Sequence, residues 1–383
     1  MKDSGLFEKL ISILKERVAA EEKISDKSTY SKITEQFMRI ALRYNSRISD
    51  VEGSFEICIK VLIGRLQCLF DTLKRISAQQ VDSKKEDEQK KEIQDILSRG
   101  TKMILLLLLH SLPSKRDIYL ADDVKIQEYI APLLHINCPQ ELNCPQRIRI
   151  EQTPELIKFH SYVLIYLSRL SIGNKYILPY LNDNHNAVDH LSSLLNHFAN
   201  QNQKNFQQEE LTDKTQQIPV ISSVLDLLSR FVIENHEIES TYSNLLPICL
   251  DLSKFNRSIH ESTYDIDESY IRYYSLWILN CFWANGDFTL KEQLVQQRRY
   301  LVTLTQGIGL AGGSLEKSDV VVKISLKNIG SVFMHLRIVQ GTNVTLLREV
   351  EEQMREMGYG EELEAVSFQK KPENLLNDWN LYT

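Results

Sequence analysis

In the stretch NVTLLREVEEQMREMG, residues 343–358, the apolar positions Leu347, Val350, Met354 and Met357 step by three, four and three. That period predicts an amphipathic helix, with Asn343 as its cap and Gly358 as its stop. Three other segments are apolar almost all round: IPVISSVLDLLSRFVI (218–233), YIRYYSLWILNCFW (270–283) and VVVKISLKNIGSVF (320–333). They predict helices buried by neighbours on several sides. Near the start, Leu6, Phe7, Leu10, Ile11 and Leu14 also recur at helical spacing. Charges interrupt that run, so it does not read as a signal peptide.

Polar stretches punctuate the helices. QQVDSKKEDEQKKE (79–92) is a mixed-charge insertion, or else the polar start of a helix ending near Leu109. Residues 199–217 are rich in Gln and Asn and offer little to bury, which predicts a long disordered loop. In NCPQELNCPQ the sequence Cys138-Pro139-Gln140 returns as Cys144-Pro145-Gln146, and the prolines break helix there. The tail 358–383 loses periodicity and is expected to be a flexible end, or a short docking segment using Leu375, Leu376, Trp379 and Tyr382.

Repetition organises what lies between. VLIYLSRLSIGN (163–174), VLDLLSRFVIEN (224–235), SLWILNCFWANG (275–286) and SLKNIGSVFMHL (325–336) each read as a buried helix with small or polar residues near its end. Ser168, Ser229, Asn280 and Gly330 share one phase, spaced by 61, 51 and 50 residues, and the Gln/Asn insertion accounts for the longer first gap. Helical units repeating at this period predict an α-solenoid.

With these residues the chain resembles the armadillo family. SIGNKYILPYLNDNHNAVDHLSSLLNHF is similar to the end of one third helix followed by a first and second helix, and DESYIRYYSLWILNCFW to a third helix with its polar start. The resemblance covers 100–357, is closest over 160–335, and leaves HEAT-type repeats open. It implies an all-α, right-handed α-solenoid of armadillo-like repeats over 96–357. Residues 1–95 would form an N-terminal helical cap. Third helices in such proteins line a concave groove that binds other proteins, often through an Asn one turn past a Trp. Aligning the helix ends puts Arg169, Arg230, Cys281 and Ser331 where that Asn would stand, and Trp277 and Asn280 are three apart rather than four. A peptide ladder of the import-receptor kind is therefore not expected. Arg169 and Arg230 could instead clamp carboxylates or a phosphate, or pair with neighbouring acids. Trp277 reads first as core, because its helix is apolar on every face. Candidate protein-binding residues are thus Arg169, Arg230, Trp277 and Asn280.

Composition and charge narrow the classes. With 14 Gly and 9 Pro in 383 residues, turn residues are scarce, which favours long helices and short loops. The net charge is −6, and the segment from Leu346 onward supplies −5 of it with nine acids against four bases. No basic domain is present to grip a phosphate backbone, so a nucleic-acid-associated solenoid is the alternative rather than the leading reading. The longest apolar run, Met103 to Leu109, is too short for a bilayer, which takes roughly 20 residues. The six cysteines include no C-x-x-C and are expected to be reduced thiols, in the cytosol or the nucleus.

Chemical motifs add little. Gly307, Gly309 and Gly312 match G-x-G-x-x-G, but no parallel strand-helix-strand unit surrounds them, so a turn between two helices is expected instead of a nucleotide site. Cys138, Cys144 and His135 could ligate zinc. Five residues separate the cysteines and no second pair is evident, so the expectation is free thiols, no metal and no cofactor. No nucleophile motif is visible. The acids of 351–362 read as a solvated helix face. The sequence points to a non-enzymatic scaffold or adaptor, a subunit of a larger complex, that binds another protein, such as an acidic or phosphorylated segment.

Overall fold

The computed structural model describes residues 54–78, 86–110, 125–205, 217–234, 239–255, 266–296, 300–308, 318–339 and 344–361, with Lys9, Ser12 and Glu16. Among these the fold is all-α. One isolated parallel bridge, Ile136 to Ile148, is the sole extended pairing among the described residues. No described helix is long and apolar enough to cross a membrane. Apart from Lys9, Ser12 and Glu16, the proposed N-terminal cap up to residue 53 lies outside the described residues, as do the docking residues of the tail, Gly309 and Gly312.

The chain divides into two compact units, residues 1–187 and 188–383. In the first, α1 (Ser54–Ala78), α2 (Glu86–His110) and α4 (Pro154–Ser171) pack in order, α2 touching both neighbours. Glu86 to Glu92 of the charged stretch form the first turns of α2, the second of the two alternatives for that segment. Leu97, Ile104 and Leu107 of α2 are buried with Phe159, Val163, Leu164 and Tyr166 of α4. Gly100 makes the crossing possible: a Cβ there would strike Leu69 and the Phe159 ring. α4 starts at Pro154, whose missing N–H costs nothing in a first turn, and the Thr153 hydroxyl accepts from the Leu156 N–H at 3.2 Å. Between α2 and α4 run α3 (Gln127–Ile130), a 3₁₀ turn (Ala131–His135) and a shorter one (Gln140–Leu142). α5 (Ile177–His185) follows α4 and packs on the first 3₁₀ turn.

The second unit holds α6 (Ala187–Asn205, starting at the last residue of the first unit), α7 (Ile218–Glu234), α8 (Glu239–Leu252), α9 (Ile266–Asn285), α10 (Phe288–Gln296), α11 (Tyr300–Ile308), α12 (Asp319–Met334), a π turn (His335–Val339) and α13 (Val344–Glu356). The helix α6 runs through 199–205, so the Gln/Asn-rich stretch begins helical rather than as a loop; residues 206–216 lie outside the described residues. Gln loses little in a helix, and the poorer helix former Asn is carried by one that Leu191, Leu195 and Phe198 already hold down. α7, α9 and α12 pack side by side in that order, with α8 against α9 and α11 against α12.

Three sequence expectations shift in detail. α7 is buried along almost its whole length, as its pattern implies, but α9 keeps a half-exposed face bearing Tyr273, Tyr274 and Trp277. Tyrosine and tryptophan count as apolar in a pattern yet present a polar edge to water. In α13 the buried positions are Leu346, Val350 and Met354, one residue out of register at its start from the stripe through Leu347. Gly307 is no turn residue. It closes the last turns of α11, where an added Cβ would run into the Ser325 hydroxyl of α12. The helix beyond the glycines begins at Asp319, and Gly358, at φ +67, does end the last one.

Candidate functional site

The residues nominated from the sequence fall in both units. Arg169 sits exposed in the last turn of α4, and its guanidinium donates to the Leu108 carbonyl at 3.5 Å. That carbonyl is among the last four of α2, which have no partner within their own helix, so Arg169 caps a helix end. Arg230, on α7, lies 3.7 Å from the Asp226 carboxylate one turn earlier. Asp226 is itself buried and faces Tyr274 of α9. Burial raises the Tyr274 hydroxyl far above the ordinary tyrosine range, and the adjacent Asp226 carboxylate adds to it. The Arg230 charge is therefore shared with an acid of its own chain.

Trp277 is not core. It is half-buried on α9, stacked on Tyr273 with ring centroids 6.4 Å apart and planes at 25°. The Lys327 ammonium of α12 stands over its face, 4.6 Å from the centroid. Tyr273 meets Tyr274 edge-on at 5.1 Å, and Tyr274 stacks on the exposed Tyr270 at 6.0 Å. Steps of three and four residues place these four rings along one side of α9. Asn280 continues the row, and its Oδ1 is buried with no hydrogen-bond partner among the described residues. Burial pushes the neighbouring Cys281 thiol up to about 11, partly offset by Lys327. The second unit thus brings Trp277 and Asn280 onto one helix face, flanked by Lys327.

A second constellation lies in the first unit, in the loop between α3 and α4. The chain doubles back on itself there. Ile148 N–H donates to the His135 carbonyl at 3.0 Å, and Asn137 N–H to the Ile148 carbonyl at 2.8 Å. The Asn137 side chain then exchanges two bonds with the Ile150 backbone, at 2.9 and 3.0 Å. Asn137 and Asn143 both adopt left-handed backbone, φ +51 and +45, which asparagine tolerates better than most residues. This closure folds Cys138 and Cys144 onto His135: their sulfurs stand 3.8 and 3.3 Å from His135 Nδ1. The other ring nitrogen, His135 Nε2, shares a hydrogen bond of 3.0 Å with Nδ1 of His185, in the last turn of α5. His135 and Cys138 are buried, and Cys144 is half-buried. Both cysteines are free thiols. Burial, with Cys144 beside it, pushes Cys138 up to about 12, and Arg147 offsets part of the rise.

The five residues between Cys138 and Cys144 hide this group in the sequence. The tighter pair is His135 with Cys138, two residues between them, and Cys144 arrives through the turn at Asn143.

No family model and no curated protein matches the sequence.

Proposed function

We propose that the chain is a non-enzymatic scaffold or adaptor, a subunit of a larger complex, built as a right-handed, armadillo-like solenoid of helical repeats. The observation that carries this reading is the side-by-side packing of α7, α9 and α12, successive long helices separated in sequence by shorter ones. α9 and α12 bury apolar surface against their neighbours and keep partly exposed faces, and outward faces of stacked helices are what repeat proteins use to hold partners. The binding surface is the face of α9 bearing Tyr270, Tyr273, Trp277 and Asn280, with Lys327 beside it. Aromatic rings flanked by a cation suit an extended, acidic or phosphorylated segment of another protein: the rings supply rigid contact area and the ammonium supplies charge complementarity. Arg169 and Arg230 act in the fold rather than as a paired clamp.

The test is capture from the native cell, with mass spectrometry, using the wild-type chain and a Tyr273→Ala/Trp277→Ala/Lys327→Glu variant whose thermal melt matches wild type. A stoichiometric partner retained by the wild type and lost by the variant supports the reading. A partner bound equally well by both moves the interface elsewhere, and the absence of any stoichiometric partner overturns the scaffold reading.

A further inference from the structure

We propose that His135, Cys138 and Cys144 bind a structural zinc ion as three of its four tetrahedral ligands. Their ligand atoms lie within 4.8 Å of one another. Tetrahedral zinc holds sulfur at about 2.3 Å and imidazole nitrogen at about 2.0 Å, which sets a sulfur–nitrogen edge of about 3.5 Å. The two edges found, 3.3 and 3.8 Å, bracket that value. The loop is therefore already shaped for the ion, held by the bridge to Ile148 and the paired bonds of Asn137 with Ile150.

The donor chemistry selects the metal. Two sulfurs and an imidazole nitrogen suit zinc, while magnesium and calcium take oxygen. With Nδ1 of His135 on the ion, Nε2 keeps its proton and donates it to His185 Nδ1, the outer hydrogen bond that fixes the tautomer of a metal-bound histidine. Each thiol releases its proton to solvent as the ion binds, and two thiolates balance the charge of zinc. Burial of His135 and Cys138 marks a closed, structural site.

The full-length chain, expressed with zinc and purified anaerobically under reducing conditions, should carry one zinc per chain. Cobalt substitution should give the thiolate charge-transfer band and the intense visible bands of a tetrahedral site. Cys138→Ser, Cys144→Ser and His135→Gln should each abolish the cobalt spectrum. His185→Gln should keep it while weakening affinity roughly ten- to a hundred-fold. If the ligand variants do not fold, alkylation of the wild-type chain decides: Cys138 and Cys144 should be protected until zinc is chelated. Substoichiometric zinc without cobalt bands, or a Cys138–Cys144 disulfide in freshly prepared chain, overturns the proposal. These readouts are of metal, so they stand or fall apart from partner binding.

Discussion

Asn328 of α12 donates its side-chain N–H to the main-chain carbonyl of Leu276 in α9, at 2.8 Å, and both residues are fully buried. An asparagine does grip a main chain in this layer of helices, but the main chain is the protein's own. The bond ties two long helices at one fixed register. Asn328→Ala removes it and leaves space among packed side chains, so a loss of about 1–3 kcal/mol is expected. Urea denaturation should show a lower midpoint at an unchanged slope. A midpoint within error of wild type would mean the bond contributes nothing net.

Gly307 meets Ser325 where α11 packs on α12. In an isolated helix Gly→Ala would gain about 1 kcal/mol. Here the new methyl would collide with the Ser325 hydroxyl, and overpacking typically costs about 1–3 kcal/mol. Gly307→Ala should therefore destabilise. The Ser325 Oγ has no hydrogen-bond partner among the described residues, so Ser325→Ala should be nearly neutral. In that background Gly307→Ala should turn neutral or stabilising. Thermal melts of the four proteins measure the coupling directly, and additive effects would exclude the collision.

How much of this was legible follows from what each pattern encodes. The all-helical class and the stop at Gly358 follow from local signals: the helical period, and a glycine free to take positive φ. The burial of α7 was legible because its apolar residues leave only Arg230 and a few others outside. The exposed row on α9 was not, because Tyr270, Tyr273, Tyr274 and Trp277 fill the apolar pattern whether they face core or water. Gly307 was misread for a related reason: a glycine selected for close helix approach looks the same in sequence as one selected for a turn. The His135, Cys138 and Cys144 cluster depends on two left-handed asparagines and a bridge between residues 12 apart, which are tertiary facts. Only its spacing of His135 and Cys138 was visible beforehand.

Arg230 and Asp226 provide a test of whether the arginine works in the fold. Asp226 is buried and Arg230 is about one-third exposed. Solvent screening reduces the pair's worth, yet removing only the cation leaves a carboxylate buried beside Tyr274. Arg230→Ala should cost about 1–2 kcal/mol, and Arg230→Ala/Asp226→Asn should cost less than the sum of the single changes. Equilibrium denaturation of the double-mutant cycle reads this coupling. A cost near zero for Arg230→Ala would return the arginine to the list of surface binding residues.

His160 should make stability depend on pH in a defined window. It lies buried in α4 with Nε2 lacking a hydrogen-bond partner among the described residues, and burial lowers its pKa from 6.5 to about 4. The folded chain thus holds this imidazole neutral where the unfolded chain would protonate it. Between these two values the unfolded state binds more protons, so stability falls as pH falls through the window and is fully present above it. The loss from this residue alone should reach about 2 kcal/mol by pH 5, from the shift at about 1.4 kcal/mol per unit. Urea midpoints at pH 7.5 and pH 5 should therefore draw apart in the wild type. In His160→Gln, whose side chain does not titrate, the gap should shrink by that amount. An unchanged gap would show that other groups, not His160, set the acid sensitivity of the first unit.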